Sequence, residues 1–149
     1  MSQQNRPFTI VAALDLTEMT DAVLAAAAEQ AALRQHAVIH AVCVIDDSQD
    51  VLGRKIDRDR ELEQLENALR NRIMASLSDH NHCIEVHARA GRPAETVVAI
   101  ADAQRADLIV LGRHSQTPVR PLFLGSVPSH LLGQAPCNVL VVQPSAYGG

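Results

Sequence analysis

Four stretches of this chain are short apolar runs without alternation. Phe8 to Leu14 (FTIVAAL) ends at Asp15, and Ala37 to Ile45 (AVIHAVCVI) ends at Asp46 and Asp47. Ala106 to Leu111 (ADLIVL) and Asn138 to Gln143 (NVLVVQ) are shorter runs of the same kind. Such runs predict strands covered on both faces. A fifth segment, Cys83 to Ala90, sets Ile84, Val86 and Ala88 against Glu85, His87 and Arg89. Strict alternation predicts a half-exposed strand, at an edge of the sheet.

Between these runs the period changes to that of a helix. Thr17 is placed to cap a helix from about Glu18 to Arg34, with Val23, Leu24, Ala27, Ala28 and Ala31 on its packing face. Ser48 to Asp57 is polar, contains Gly53 and reads as a loop. A long second helix follows, carrying Leu62, Leu65, Leu69, Ile73 and Leu77, with Glu66 and Arg70 four apart. Gly91 turns the chain, and Pro93 stands where a third helix begins, with Val97, Ile100 and Ala101 as its stripe. Gly112 to Leu124 reads as a loop, and Val127 to Leu132 as a short helix before the last strand. The tail from Ser145 to Gly149 is expected to fray.

Strands that alternate with helices predict an α/β domain: an open parallel sheet joined by right-handed crossovers. At 149 residues the chain fits one domain. Aromatic residues are only 2%, so the core must be built from Val, Ile, Leu and Ala. The formal charge of -4 does not point to nucleic acid. No run suits a membrane span and no leader is apparent, which makes the cytoplasm the expected location. Cys43, Cys83 and Cys137 are odd in number and widely spaced, which argues against a disulfide framework. Cys43 and Cys83 read as buried packing residues.

In an open α/β sheet, ligands sit beyond the carboxyl ends of the strands, where the strand order reverses. Asp15 and Gly112 each stand at such an end. Further on, Gly125, Ser126 and Val127 precede or open a helix, whose free N–H groups and dipole favour an anion. Arg113 and Arg120 could supply charge to phosphates or be solvated loop charges. No GxGxxG, Walker lysine motif, GxSxG or HExxH is present, which disfavours a dinucleotide dehydrogenase, a P-loop motor and a serine hydrolase.

The segment Gly112-Arg-His-Ser115, nine further residues, then Gly125-Ser126 resembles the phosphate loop of the universal stress protein family. That family's pattern is Gly, two residues, Gly, nine residues, Gly, then Ser or Thr. Asp15 with Thr17 resembles the family's first loop, GRPAETVV the entry to its third helix, and LLGQAPCNVLVVQP its last turn and strand. The middle glycine is Ser115 here, at a position where glycine would allow positive φ and close approach to a ligand.

The resemblance implies five parallel strands in the order 3-2-1-4-5 with helices on both faces, a Rossmann-like sheet of the adenine nucleotide alpha hydrolase-like kind. It implies that Ala13, Asp15 and Val44 border a base and ribose. It also implies that Gly112, Ser115, Gly125, Ser126 and Val127, with Arg113 near them, hold ribose and phosphates. The ligand would be ATP or another adenine nucleotide, with Mg²⁺ a possible companion. The expected role is a regulatory, non-enzymatic one in stress, carried out by a homodimer joined through Val139 to Val142, with an unknown protein partner.

Two other functions stay open from sequence. One is a member of the family that binds no nucleotide and acts through protein contacts. The other is a small phosphohydrolase or nucleotidyl-transfer enzyme, for which only Asp15 is a candidate acid. Asp46 and Asp47 read either as a phosphate-held metal site or as a solvated loop. His80, His82 and His87 lack the companion spacing of a structural zinc site and read as surface histidines, while His114 lies inside the phosphate loop.

Overall fold

The computed structural model describes residues 6–47, 57–78, 81–113 and 126–143. The chain begins with β1 (Phe8–Leu14), α1 (Met19–Ala32), β2 (Ala37–Asp46) and α2 (Arg58–Ser76). It continues through β3 (Cys83–Gly91), α3 (Pro93–Ala103), β4 (Leu108–Gly112), α4 (Ser126–Gln134) and β5 (Asn138–Val142). The strands form one sheet in the order β3-β2-β1-β4-β5. Every neighbouring pair is parallel, as the alternating pattern requires.

Register divides the side chains between two layers. Ile10, Ala12 and Leu14 of β1 and Ile39, Ala41 and Cys43 of β2 pack with Val23, Leu24 and Ala27 of α1 and Leu69 and Ile73 of α2. Val11, Val42, Ile109 and Leu111 face the other way, onto Ala94, Val97 and Ala101 of α3 and Leu131 of α4. The core is mainly aliphatic, and the alanines of α1 let that helix approach the sheet closely.

The structure moves some sequence-based boundaries. Thr17 is not the helix cap; Glu18 holds that position, and its side chain makes no capping bond. Thr17 acts one residue earlier, its hydroxyl donating to Asp15 Oδ1 at 2.6 Å and accepting the N–H of Met19 at 3.3 Å. Strand β4 starts at Leu108, not Ala106, because Asp107 is occupied with β1. Its N–H donates to Thr9 O, its Oδ2 accepts the Thr9 N–H at 2.8 Å, and its Oδ1 pairs with Arg6. Ile100 is half-buried, and Ala94 replaces it in the stripe of α3. Cys83 is exposed rather than buried, since it opens the edge strand β3.

Candidate functional site

The order of the sheet reverses at β1, which has β2 on one side and β4 on the other. The carboxyl ends of β1 and β4 therefore border the crevice that this topology leaves for a ligand. Register brings the expected residues to that end. Ala13 lies opposite Leu111 and Val42, and Leu14 opposite Cys43. Asp15 follows Leu14, and Gly112 follows Leu111.

Ala13 and Val44 are both half-buried and share the face that carries α3 and α4. Gly112 faces the opposite layer. A Cβ at Gly112 would lie 3.1 Å from Met19 Cε and 3.2 Å from both Met19 Cβ and Val23 Cγ2. Its missing side chain therefore lets the start of α1 close onto the end of β4.

Asp15 is exposed and shapes its own loop. Its Oδ1 accepts the backbone N–H of Thr17 at 3.0 Å in addition to the Thr17 hydroxyl. Leu16, between them, sits at φ 60°, a left-handed conformation that costs a leucine about 1 kcal/mol. The Asx turn holds the chain in that shape as it leaves β1. Arg72 reinforces the loop from α2, with Nη2 donating to Thr17 O and Nε to Asp21 Oδ1, both at 3.0 Å. Neither Leu16 nor Arg72 is legible in the residue pattern, because one depends on backbone strain and the other on a contact 55 residues away.

Arg113 follows β4, and its Nη1 donates to Gln143 Oε1 at 3.0 Å, which directs the guanidinium across the end of β5. Ser126 is the first residue of α4, one residue earlier than the pattern predicted, and Val127 is the second. A helix that links two parallel strands runs back against them, so the amino end of α4 lies at the carboxyl edge of the sheet. Ser115, His114, Arg120 and Gly125 lie outside the described residues.

Asp46 and Asp47 join no group of three potential metal ligands among the described residues. A different group stands out, lower on β2 and β3. His40 is buried, and its Nδ1 lies 2.8 Å from Nε2 of His87. Burial lowers the pKa of both rings. The expectation of a surface histidine is met only in part by His87, which is half-buried, whereas His40 is buried as its apolar run implies. Cys43 is buried, which pushes its thiol up to about 11, with the charge of Asp15 adding to the effect. Burial also raises Cys137.

Comparison with known proteins agrees with this fold. A universal stress protein of Thermus aquaticus is 45% identical over 53 residues, covering 36% of this chain and 39% of its own length. A universal stress protein of a Synechocystis strain is 27% identical over 90% of this chain and 96% of its own. Among solved structures, UspA of Lactobacillus plantarum superposes with a TM-score of 0.71 at 25% identity, over 93% of this chain and 99% of its own. A universal stress protein in complex with cAMP has a TM-score of 0.67 at 22% identity, over 92% and 97% of the two chains. One from Archaeoglobus fulgidus in complex with dAMP has 0.65 at 22%, over 92% and 98%. The model of the universal stress protein family matches residues 8–143, from the first residue of β1 to one residue past β5. The chain belongs to the universal stress protein family.

Proposed function

We propose that this protein binds an adenine nucleotide, ATP in the first instance, in the crevice between Asp15 and Gly112, and that the nucleotide regulates it. The observation that carries the reading is the convergence of half-buried Ala13 and Val44, exposed Asp15 and the amino end of α4 on one edge of the sheet. Small and branched apolar side chains there suit the face of a base. Asp15 suits the ribose, and the N–H groups at the start of α4 suit phosphates. The family resemblance assigns Gly125, Ser126, Ser115 and Arg113 to the phosphate end, with Mg²⁺ as counter-ion. The fold neighbours in complex with cAMP and dAMP support an adenine ligand for this fold.

The role is regulatory rather than enzymatic. The Asp15 carboxylate is tied to Thr17, which suits it to shaping the loop better than to serving as a mobile base. Any hydrolysis of ATP is slow and incidental. The protein acts as a cytoplasmic homodimer joined along β5, whose only neighbour in the sheet among the described residues is β4.

Gly125→Asp tests the site, because a carboxylate placed against phosphates repels them. ATP with Mg²⁺ should raise the melting temperature of the unmutated protein and leave the variant unmoved. An equal shift in both would remove the phosphate loop from the site. No shift in either would favour action through protein contacts alone, and Ser115→Gly would then show whether that one departure from the family pattern is the cause.

A further inference from the structure

The two strands at the β3 edge bring a second set of chemical groups together, away from the nucleotide crevice. His40 lies opposite Glu85 in the β2–β3 register, and Val42 opposite His87. Registered neighbours in a parallel pair point to the same face, as do residues two apart on one strand. His40, Glu85 and His87 therefore share a face by register alone. It is the face of Val42, which packs with Ala94 and Val97 of α3.

The side chains converge on that face. His40 Nδ1 and His87 Nε2 are 2.8 Å apart, and one ligand atom from each of the three residues lies within 4.8 Å of the others. The geometry points to a divalent transition-metal site of the zinc class, with His40 Nδ1, His87 Nε2 and the Glu85 carboxylate as ligands. Two imidazoles and one carboxylate form a donor set that zinc takes in three-ligand sites, with water in the fourth position. Tetrahedral bonds of about 2.0–2.1 Å require donors roughly 3.3 Å apart. The imidazole nitrogens must separate slightly to reach that spacing. The carboxylate must draw in, and it is exposed and able to turn.

Arg89 fixes the state from which metal would bind. Its Nη2 lies 3.4 Å from His87 Nδ1. A guanidinium only donates, so His87 accepts at Nδ1 and carries its proton on Nε2, which it donates to His40 Nδ1. Metal replaces that Nε2 proton. The proton is taken up again at Nδ1, where two donors would then face each other, and Arg89 turns out to solvent. Arg89 thus opposes the metal both as a nearby positive charge and through the tautomer it favours. Bound metal would fasten the edge strand β3 to β2 through side chains as well as backbone.

The test is calorimetric titration of the chelator-stripped full chain with Zn²⁺, with Co²⁺ absorption as a report of nitrogen and oxygen ligands. We expect one equivalent to bind. His87→Ala should abolish it, and Glu85→Gln should weaken it by roughly tenfold or more. His82→Ala should leave it unchanged, and Arg89→Gln should tighten it severalfold. Far-ultraviolet circular dichroism of each variant separates loss of the site from loss of the fold, and Glu85 is exposed enough for its variant to fold. Failure of the unmutated chain to take up zinc would overturn the site. So would uptake that neither His87→Ala nor Glu85→Gln changes, since other histidines would then hold the metal.

Discussion

The backbone N–H of Arg113 donates to the carbonyl of Val142 at 2.9 Å, just past the last residue of β4. In a parallel ladder both backbone groups of a residue face the same neighbour, and the next residue faces the other way. Val142 thus turns inward to β4, and Val141 presents its N–H and C=O to the side of β5 on which no strand lies among the described residues. An apolar edge of this kind invites a partner strand, and the same strand of a second copy can pair with it under two-fold symmetry. We expect sedimentation at micromolar concentration to give a dimer of about 32 kDa, twice the 16.1 kDa of the chain. Val141→Pro removes an outward N–H and should yield folded monomers with a modestly lower melting temperature, since Val141 also packs on the core. A monomer before mutation contradicts the pairing.

Gly112 should resist even a methyl group. A Cβ there meets Met19 and Val23 of α1 on two sides at 3.1–3.2 Å. Gly112→Ala is expected to destabilise the fold by about 1–3 kcal/mol through overpacking, read as a lower urea midpoint with no ligand present. An unchanged midpoint would mean that α1 moves aside freely.

Arg105 offers the opposite case. It sits at φ 54° just beyond α3. Its N–H donates to Asp102 O, and that of Ala106 to Ala101 O at 2.8 Å, which is the Schellman pattern that closes a helix. A left-handed arginine carries a steric cost that glycine does not. Arg105→Gly should stabilise the protein by about 1 kcal/mol in chemical unfolding. The Arg6 contact survives the change, because it is to the carbonyl of residue 105 rather than its side chain.

The cysteines should separate by accessibility. Cys83 is exposed, whereas Cys43 is buried with its thiol pushed up to about 11. Iodoacetamide at neutral pH should label Cys83 rapidly and Cys43 only after unfolding, as read by peptide mass spectrometry. Labelling of Cys43 at a comparable rate would show that β2 opens readily.

Much of this architecture is legible in the residue pattern. Uninterrupted runs located β1, β2, β4 and β5 to within two residues, and alternation identified β3 as half-exposed and at the edge. The strand order was an implication of family resemblance, and the sheet has it. Two of the differences arise where a side chain takes a partner distant in sequence. Asp107 sits in an apolar run yet serves Thr9 and Arg6, so β4 begins after it. His40 lies inside the run AVIHAVCVI, and the burial of that run was the clue that it is not a surface histidine. Its pairing with His87 depends on the β2–β3 register, which a single sequence does not show. Ala13, Val44 and Gly112, which the resemblance implies for a nucleotide, stand at the carboxyl ends of β1, β2 and β4 and so share one edge of the sheet, whereas Ser115 and Gly125 lie outside the described residues.

Calorimetric titration of the unmutated protein with ATP and Mg²⁺, after removal of any bound nucleotide, tests the central claim most directly. The account predicts saturable heat with one nucleotide per chain, and weaker or absent heat for a nucleotide without adenine. No heat at millimolar ATP, together with no thermal shift, would contradict it.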